Sequence, residues 1–408
     1  MARRESPAAG PGSRALIVDL IRSAGEISRT ELMHAAGLTQ PSISMIVRKL
    51  LDDGIVREVG FLPSTGGKPS NILTINAHAA VGIGLHITLD AITCVATDTR
   101  AGIIGRQEVF GVRDDDPGTV VERLADVIRD FVAALGLDPS AIVGVGVVLA
   151  GSIDQPHGSI LSSHELPTWS GLELRADLHS RLGFPIVIDN DAAAAAVGEF
   201  WSRRVSRTDT FSTVYMSTGI GSGLVVDGGL FRGASSNAGE LGHISIDLAG
   251  RECHCGNRGC LERHASPSAV VDAAQLEPRL RDRLALGTTP RSVARDFEEL
   301  CRAAVRGDSD AFALIDESAL QFAGAVVSLA NLFDIDRLVL AGAGFAVAGS
   351  IYARSIRSAL DRSAFARNAH RVVVELSSNP RDSAAAGAAA LVLQYTMAPG
   401  HGGTLADR

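Results

Sequence analysis

From Val81 onward the apolar residues fall into short blocks separated by polar breaks, and the blocks come in two rounds. The first round holds three consecutive strand-like runs, "VGIGLHITL", "AITCVATD" and "IIGRQEVF". A helical pattern over residues 117–136 follows, then a buried strand "IVGVGVVLAG", then a helix–strand pair ending in "FPIVIDNDAAAAAVGEF". The second round begins with "TFSTVYMSTGIGSGLVVDGGLF" and closes with "DRLVLAGAGFA". Strands alternating with helices predict mixed or parallel sheets with helices on both faces. Two such rounds predict two related lobes with a cleft between them, a common place for a small ligand.

The first seventy-odd residues have another character. "RALIVDLIRS" places Leu16, Ile17, Leu20 and Ile21 on one helical face. A second short helix follows in "SRTELMHAAG", with Ser28 or Thr30 as its cap, and Gly37 breaks it. "LTQPSISMIVRKLLDDG" predicts a third helix, with Thr39 as N-cap, Pro41 in the first turn, and Ile43, Ile46, Val47, Leu50 and Leu51 in one stripe. Gln40, Ser44 and Arg48 face the other way, flanked by Ser42, Met45 and Lys49. Helix, glycine turn and a helix with a small polar outer face make a helix-turn-helix. "GIVREVG" and "SNILTINA", joined by "FLPSTGGKPS", then read as a β-wing. Small Ser42 and Ser44 allow close approach to a groove floor, Gln40 can address adenine, and Arg48 and Lys68 can meet phosphates. The alternative is a small helical interaction module without a DNA role.

At 408 residues the chain is too long for one small core, so two or three domains are expected. The boundaries read as a disordered tail over 1–11, a winged helix-turn-helix over 12–75, an effector domain over 80–396 and a tail over 397–408. Net charge is −8 and aromatics are 4%, which excludes a protein that coats nucleic acid over its whole surface. The charge is uneven: residues 1–72 carry nine Arg/Lys against seven Asp/Glu, a net of +2, which leaves −10 for the rest. There is no N-terminal apolar leader and no stretch near twenty apolar residues, so a cytoplasmic chain with reduced thiols is expected. In that setting Cys253, Cys255 and Cys260 crowd into eight residues, ten positions after His243. A Cys3His set suits one structural zinc ion with four protein ligands and no open position. The alternatives are a disulfide, which leaves one thiol over, or three ordinary core residues. Cys94 and Cys301 stand apart in apolar surroundings and read as packing residues.

The stretches "NDAAAAAVGE" (190–199), "STGIGSGLVVDGGLFRG" (217–233), "AGELGHI" (238–244) and "CHCGNRGCLE" (253–262) resemble the ROK family, which groups sugar kinases with transcriptional repressors. The resemblance covers roughly residues 12–396 and includes the winged helix-turn-helix of the regulator branch. It implies an actin-like, two-lobed α/β effector domain, assembled as a homodimer or homotetramer. It also implies that Asn190, Asp191, Glu240, His243 and Glu262 hold a sugar or sugar phosphate, Asp191 matching the family's catalytic base and His243 also binding zinc. Carboxylates suit vicinal hydroxyls because each accepts two hydrogen bonds. "STGIGSG" resembles the family's second phosphate loop.

Two positions depart from the family pattern. Kinases of the family open the sugar domain with Asp-x-Gly-Gly-Thr, where this chain has His86, then Thr88, Leu89 and Asp90. The family's sugar-contacting Asn before Leu-Pro-x-Trp is Glu165 here. The expectation is therefore a sugar-responsive DNA-binding regulator, a repressor without effective kinase activity, Asp191 being a vestigial base. The competing readings are a bifunctional or genuine sugar kinase with an attached DNA-binding domain, and a DNA-binding protein whose sugar lobe is only a scaffold. DNA contacts are expected from Thr39, Gln40, Ser42, Ser44, Met45, Arg48, Lys49 and Lys68. A fragment beginning at Val81 should lose operator binding. In a salt series followed by fluorescence anisotropy, Arg48→Ala should flatten the slope of log affinity against log salt by about one unit, as expected for one lost phosphate contact.

Overall fold

The computed structural model describes residues 11–62, 70–113 and 115–398. These divide into two compact units, one formed by residues up to 208 with 226–230 and the chain beyond 385, the other by 209–225 and 231–384. The first unit opens with α1 (Pro11–Ala24), β1 (Ile27–Ser28), α2 (Arg29–Ala36) and α3 (Gln40–Asp52), followed by β2 (Val56–Leu62) and β3 (Ser70–Ile75) in the sheet order β1-β3-β2. Of the two candidate caps for α2, Ser28 is used. Its hydroxyl accepts the Glu31 amide while the Glu31 carboxylate accepts the Ser28 amide. Gly37 ends α2 with φ of 64°. Thr39 sits at the cap position of α3 but makes no cap bond, since its hydroxyl lies 2.9 Å from that of Ser42.

Ile43, Ile46, Val47 and Leu50 of α3 are buried, as the stripe predicts. On α1, Ile17 and Ile21 are fully buried together with Val18, whereas Leu16 and Leu20 are only half-buried. Both expected tails begin further out than the composition suggests. Pro11 already opens α1, because proline at a first helical position loses only an N–H that has no partner there. At the other end Met397 is still helical and Ala398 is buried. The remaining tail residues and the wing tip, with Lys68, lie outside the described residues.

The same unit holds a five-stranded sheet. Its antiparallel meander is β4 (Val81–Ile87), β5 (Ala91–Asp98) and β6 (Ile103–Phe110), and β7 (Ile142–Leu149) and the 186–190 strand add in parallel beside β4. The two-residue period sorts β4 by face. Ile83, Leu85 and Ile87 join Val145, Val147 and Leu149 in a core under α4 (Pro117–Leu135) and α5 (Leu174–Leu182). Gly82, Gly84 and His86 share the opposite face. A Cβ at Gly84 would stand 1.9 Å from the Ala385 carbonyl oxygen, and one at Gly82 2.5 Å from that of Ala389, so the 383–397 helix rests directly on the strand backbone. Against that helix, at Gly198, packs α6 (Asp191–Ser202), with every residue from Asp191 to Trp201 buried.

The second unit has its own sheet. Strands 220–226 and 211–216 pair antiparallel, and 337–341 and 373–376 follow in parallel. Helices 293–305, 309–333 and 349–363 supply the core, where the rings of Phe322, Phe345 and Tyr352 meet edge to face at 5.2–5.6 Å. Contrary to the sequence expectation, Ser309–Phe333 is long and apolar enough to cross a membrane by length and composition. Its Ile315, Ala319, Phe322 and Val326 are fully buried in this core, which accounts for the hydropathy of the helix. Cys94 and Cys301 are buried packing residues, and burial pushes each thiol up to about 12.

One of the tight backbone contacts in the first unit gives a test. A Cβ at Gly387 would lie 2.0 Å from the Ala194 carbonyl oxygen of α6, a backbone atom that cannot step aside. Gly387→Ala should therefore cost about 1–3 kcal/mol, read as a lower midpoint at unchanged slope in urea denaturation.

Candidate functional site

His243, Cys253, Cys255 and Cys260 converge in the second unit. His243 ends a short 3-10 turn over Leu241–His243, and the cysteines sit on a loop pinned by two antiparallel bridges, Ser245 with Cys260 and Glu252 with Arg258. The Cys253 amide donates to the Asn257 carbonyl and the Gly256 amide to that of Cys253, which folds the loop into a knuckle. Cys253 Sγ lies 3.5 Å from His243 Nδ1, and Cys255 Sγ lies 3.7 Å from Cys260 Sγ. All four donor atoms fall within 4.8 Å of one another, and none of the three thiols is in a disulfide. The set can hold a metal ion. Burial, then the neighbouring thiols, push the Cys260 thiol up to about 12. At Cys255 burial works upward but is outweighed by the Asn257 backbone amide and by hydrogen bonds from Cys253 and Cys260, which leave it below the ordinary thiol range. A metal binding here must displace protons, so its affinity falls as the pH falls.

Glu262 and Glu240 stand beside this knuckle. Glu262 Oε2 accepts the Ile220 amide at 2.9 Å, and its other oxygen lies 4.0 Å from His254 Nδ1. One amide of "STGIGSG" is therefore engaged by a carboxylate, and a Cβ at Gly219 would stand 2.5 Å from the same oxygen. Glu240 Oε2 lies 3.9 Å from His243 Nε2 and is half exposed. His254 is a site residue that the sequence reading passed over. Its ring meets that of His243 edge-on at 5.1 Å, and with Glu262 the two imidazoles form a second group of possible metal ligands. The signal was present in the interleaving of His254 between Cys253 and Cys255.

The other two expected sugar ligands belong to the first unit. Asn190 is the N-cap of α6. Its Oδ1 accepts the amides of Ala192 and Ala193, and its Nδ2 donates to the Gly151 carbonyl. Asp191 is buried, with Oδ1 on the Ala192 amide and Oδ2 3.6 Å from His86 Nε2. His86, noted in the sequence only as a departure, reaches Asp191 because it shares the face of Gly82 and Gly84. In the turn that follows, Thr88 Oγ1 bonds both the amide and the carbonyl of Ala91, and Asp90 lies 3.7 Å from Arg113. The acidic charge expected at Asp90 thus has a cationic neighbour. Glu165 precedes the 3-10 turn Pro167–Trp169 in this same unit.

On α3, Thr39, Gln40, Met45, Arg48 and Lys49 are exposed, and Ser42 and Ser44 are half-buried beside them. Met45, at 59% exposure, is an apolar residue on an otherwise polar face.

Comparison with known proteins places these features in a family. Residues 82–395 match the ROK family. The xylose repressor of Bacillus subtilis (strain 168) is 30% identical over 264 residues, which is 65% of this chain and 68% of the relative. The N-acetylglucosamine repressor of Escherichia coli O6:H1 is 26% identical over 332 residues, 80% of this chain and 79% of the relative. A crystal structure of a ROK family transcriptional regulator, described as a homolog of the E. coli MLC protein, superposes with a TM-score of 0.72 at 24% identity, covering 94% of this chain and 96% of its own. That superposition shows a shared fold.

The knuckle depends on Gly259, whose Cβ equivalent would lie 1.6 Å from the Asp247 carbonyl oxygen at a φ of 67°. Gly256 also has positive φ, but no atom lies within 4 Å of its Cβ position. Gly259→Ala is expected to abolish retention of metal through gel filtration, whereas Gly256→Ala should keep most of it, both read by elemental analysis.

Proposed function

The chain belongs to the ROK family, and from that premise we propose that it is a sugar-responsive transcriptional repressor. The observation that carries the reading is the N-terminal winged helix-turn-helix, whose α3 turns an exposed polar face outward while its apolar stripe is buried. Operator DNA is met by Thr39, Gln40, Ser42, Ser44, Met45, Arg48 and Lys49, and by Lys68 of the segment outside the described residues. As a homodimer or homotetramer the protein sets two such helices into successive major-groove half-sites. The repressor names of its relatives support the same role, and the five free cysteines fit a reducing cytoplasm.

The metal is zinc. Bonds of about 2.3 Å to sulfur and 2.0–2.1 Å to nitrogen in a tetrahedron imply S–S edges of roughly 3.8 Å and S–N edges of roughly 3.6 Å. The observed 3.7 and 3.5 Å fit those edges. Held by His243, Cys253, Cys255 and Cys260, the ion would brace the loop that carries His243 and precedes Glu262. By its likeness to the family, the chain is expected to bind a sugar or sugar phosphate through Asn190, Asp191, Glu240, His243 and Glu262. Two relatives are named for xylose and N-acetylglucosamine, which makes these sugars the first to try.

The protein is not an effective kinase on this reading. Phosphoryl transfer rests on positioning and on charge stabilisation around the phosphates. Here one amide of "STGIGSG" is engaged by Glu262, His86 faces Asp191, and Leu89 and Asp90 stand where the family's kinases place Gly-Thr. The intact Asp191 favours the second reading, a bifunctional kinase. That reading predicts ADP release with hexoses, amino sugars or pentoses at the ~1–100 s⁻¹ of kinases, abolished by Asp191→Asn.

The test pairs the purified protein with an operator selected from random DNA. D-xylose, N-acetylglucosamine, glucose and their phosphates are screened by thermal shift and by operator binding. One of them should raise stability and weaken operator binding by about 5–150-fold. Glu262→Ala and Asp191→Ala should erase that effect while leaving operator affinity intact. Zinc should be found at one equivalent per chain. A screen in which no sugar changes either readout, or protein purified without chelator that lacks zinc, overturns the corresponding part of this reading.

A further inference from the structure

Helix α6 begins at Asp191, where the effector reading above places the sugar, and its far end is held by the DNA-binding region. Arg22 of α1 donates from Nη1 to the carbonyls of Phe200 and Trp201 at 3.0 and 3.3 Å, and from Nη2 to that of Val205 at 2.8 Å. Its guanidinium lies 4.5 Å from the Phe200 ring centroid and 5.1 Å from that of Trp201. The side chain is 3% exposed, and the equally buried Asp19 carboxylate lies 3.8 Å away on the same helix. Burial lowers Arg22 to about 10, so it stays charged at neutral pH. A cation is favoured at this place because carbonyls at a helix C-terminus carry partial negative charge.

A second arginine on α1 does the same to a second helix. Arg14 donates from Nε to the Met397 carbonyl at the end of the 383–397 helix, and from Nη2 to Asp53, the residue that ends α3. The two gripped helices also touch each other without intervening side chains. A Cβ at Gly198 of α6 would stand 2.8 Å from Gly387 Cα.

We infer that α1 is the coupling element of this repressor, and that Arg22 and Arg14 are the positioning residues that carry the state of the Asp191 end of α6 to α3. The inference rests on the effector reading of Asp191 and adds its route. Helix α6, about 18 Å long at 1.5 Å per residue, is buried from Asp191 to Trp201 and has no free side into which to bend. A change at its first turn therefore arrives at Phe200–Val205 as a shift of those carbonyls. The Arg22 fork either spans its three acceptors or loses them, which makes a discrete switch. Arg14 passes the same movement to the end of α3 through Asp53. Lysine at position 22 keeps the charge beside Asp19 but has no rigid fork to bridge three carbonyls.

Coupling is reciprocal, so it can be read from the DNA side without knowing the sugar. Hydrogen exchange is measured on the full chain with and without the selected operator, for wild type, Arg22→Lys and Arg14→Ala. In the wild type, operator should change exchange in residues 191–202 and 383–397. Arg22→Lys should lose the change in 191–202 and Arg14→Ala the change in 383–397, with operator affinity retained in both. Any sugar effect on operator affinity should fall in Arg22→Lys to a factor of about one, from the 5–150-fold typical of such coupling. If Arg22→Lys does not fold, Arg14→Ala carries the test. Wild-type protein showing no change in either helix, or variants that keep the full change, would overturn the inference. A failure of every sugar to bind wild type overturns the effector reading alone, and the exchange result still decides the coupling.

Discussion

A helix buried along its whole length must satisfy the unpaired amides and carbonyls at its two ends without water. Helix α6 meets this with Asn190, whose side chain accepts two first-turn amides, and with Arg22, which donates to the carbonyls at the far end. Its alanine run follows from the same constraint. The 383–397 helix approaches α6 at Gly198 and Gly387 so closely that backbone meets backbone. That helix in turn lies on Gly82, Gly84 and Gly146 of the sheet. The first unit is built around contacts that admit no larger side chain, and the DNA-binding helices join it through charged forks rather than through apolar packing alone.

The second unit solves a different problem. The loop carrying Cys253 to Cys260 has little apolar packing of its own, and Cys255 is exposed. A metal held by the three thiolates and the imidazole would brace this loop and fix the direction of His243. Glu262 follows the last cysteine by two residues, so its place on the Ile220 amide is coupled to that loop. In zinc-binding terms the four ligands leave no open position, which suits a structural rather than a catalytic ion.

Solved structures of a ROK hexokinase and of a ROK transcriptional regulator share this fold. In this chain His86 Nε2 lies 3.6 Å from Asp191 Oδ2, and Thr88 bonds Ala91 in the turn after β4. Fold alone does not assign function. The assignment as a repressor rests on relatives named as repressors, and α3 adds a buried apolar stripe paired with an exposed polar face.

The sequence by itself determined the elements and most of the chemistry. Periodicity found the three N-terminal helices, the wing strands and the two rounds of strands and helices. The Cys-x-Cys-x4-Cys spacing with His243 found the four side chains that could hold a metal, because they are close in the chain and the geometry is local. Pro11 and Met397, read as the inner residues of the two tails, are helical, since composition does not report packing. Four features needed the tertiary structure: the His86–Asp191 pair, His254 beside Glu262, the Ile220 amide held by Glu262, and the grip of Arg22 and Arg14. Arg22 reads in sequence as one more polar residue on an amphipathic helix, as Asp19 does. Its acceptors lie 178 to 183 residues away, and no local pattern encodes a contact at that separation. Only the fold decides that this arginine is buried, because only the fold brings to it a helix end with carbonyls to satisfy.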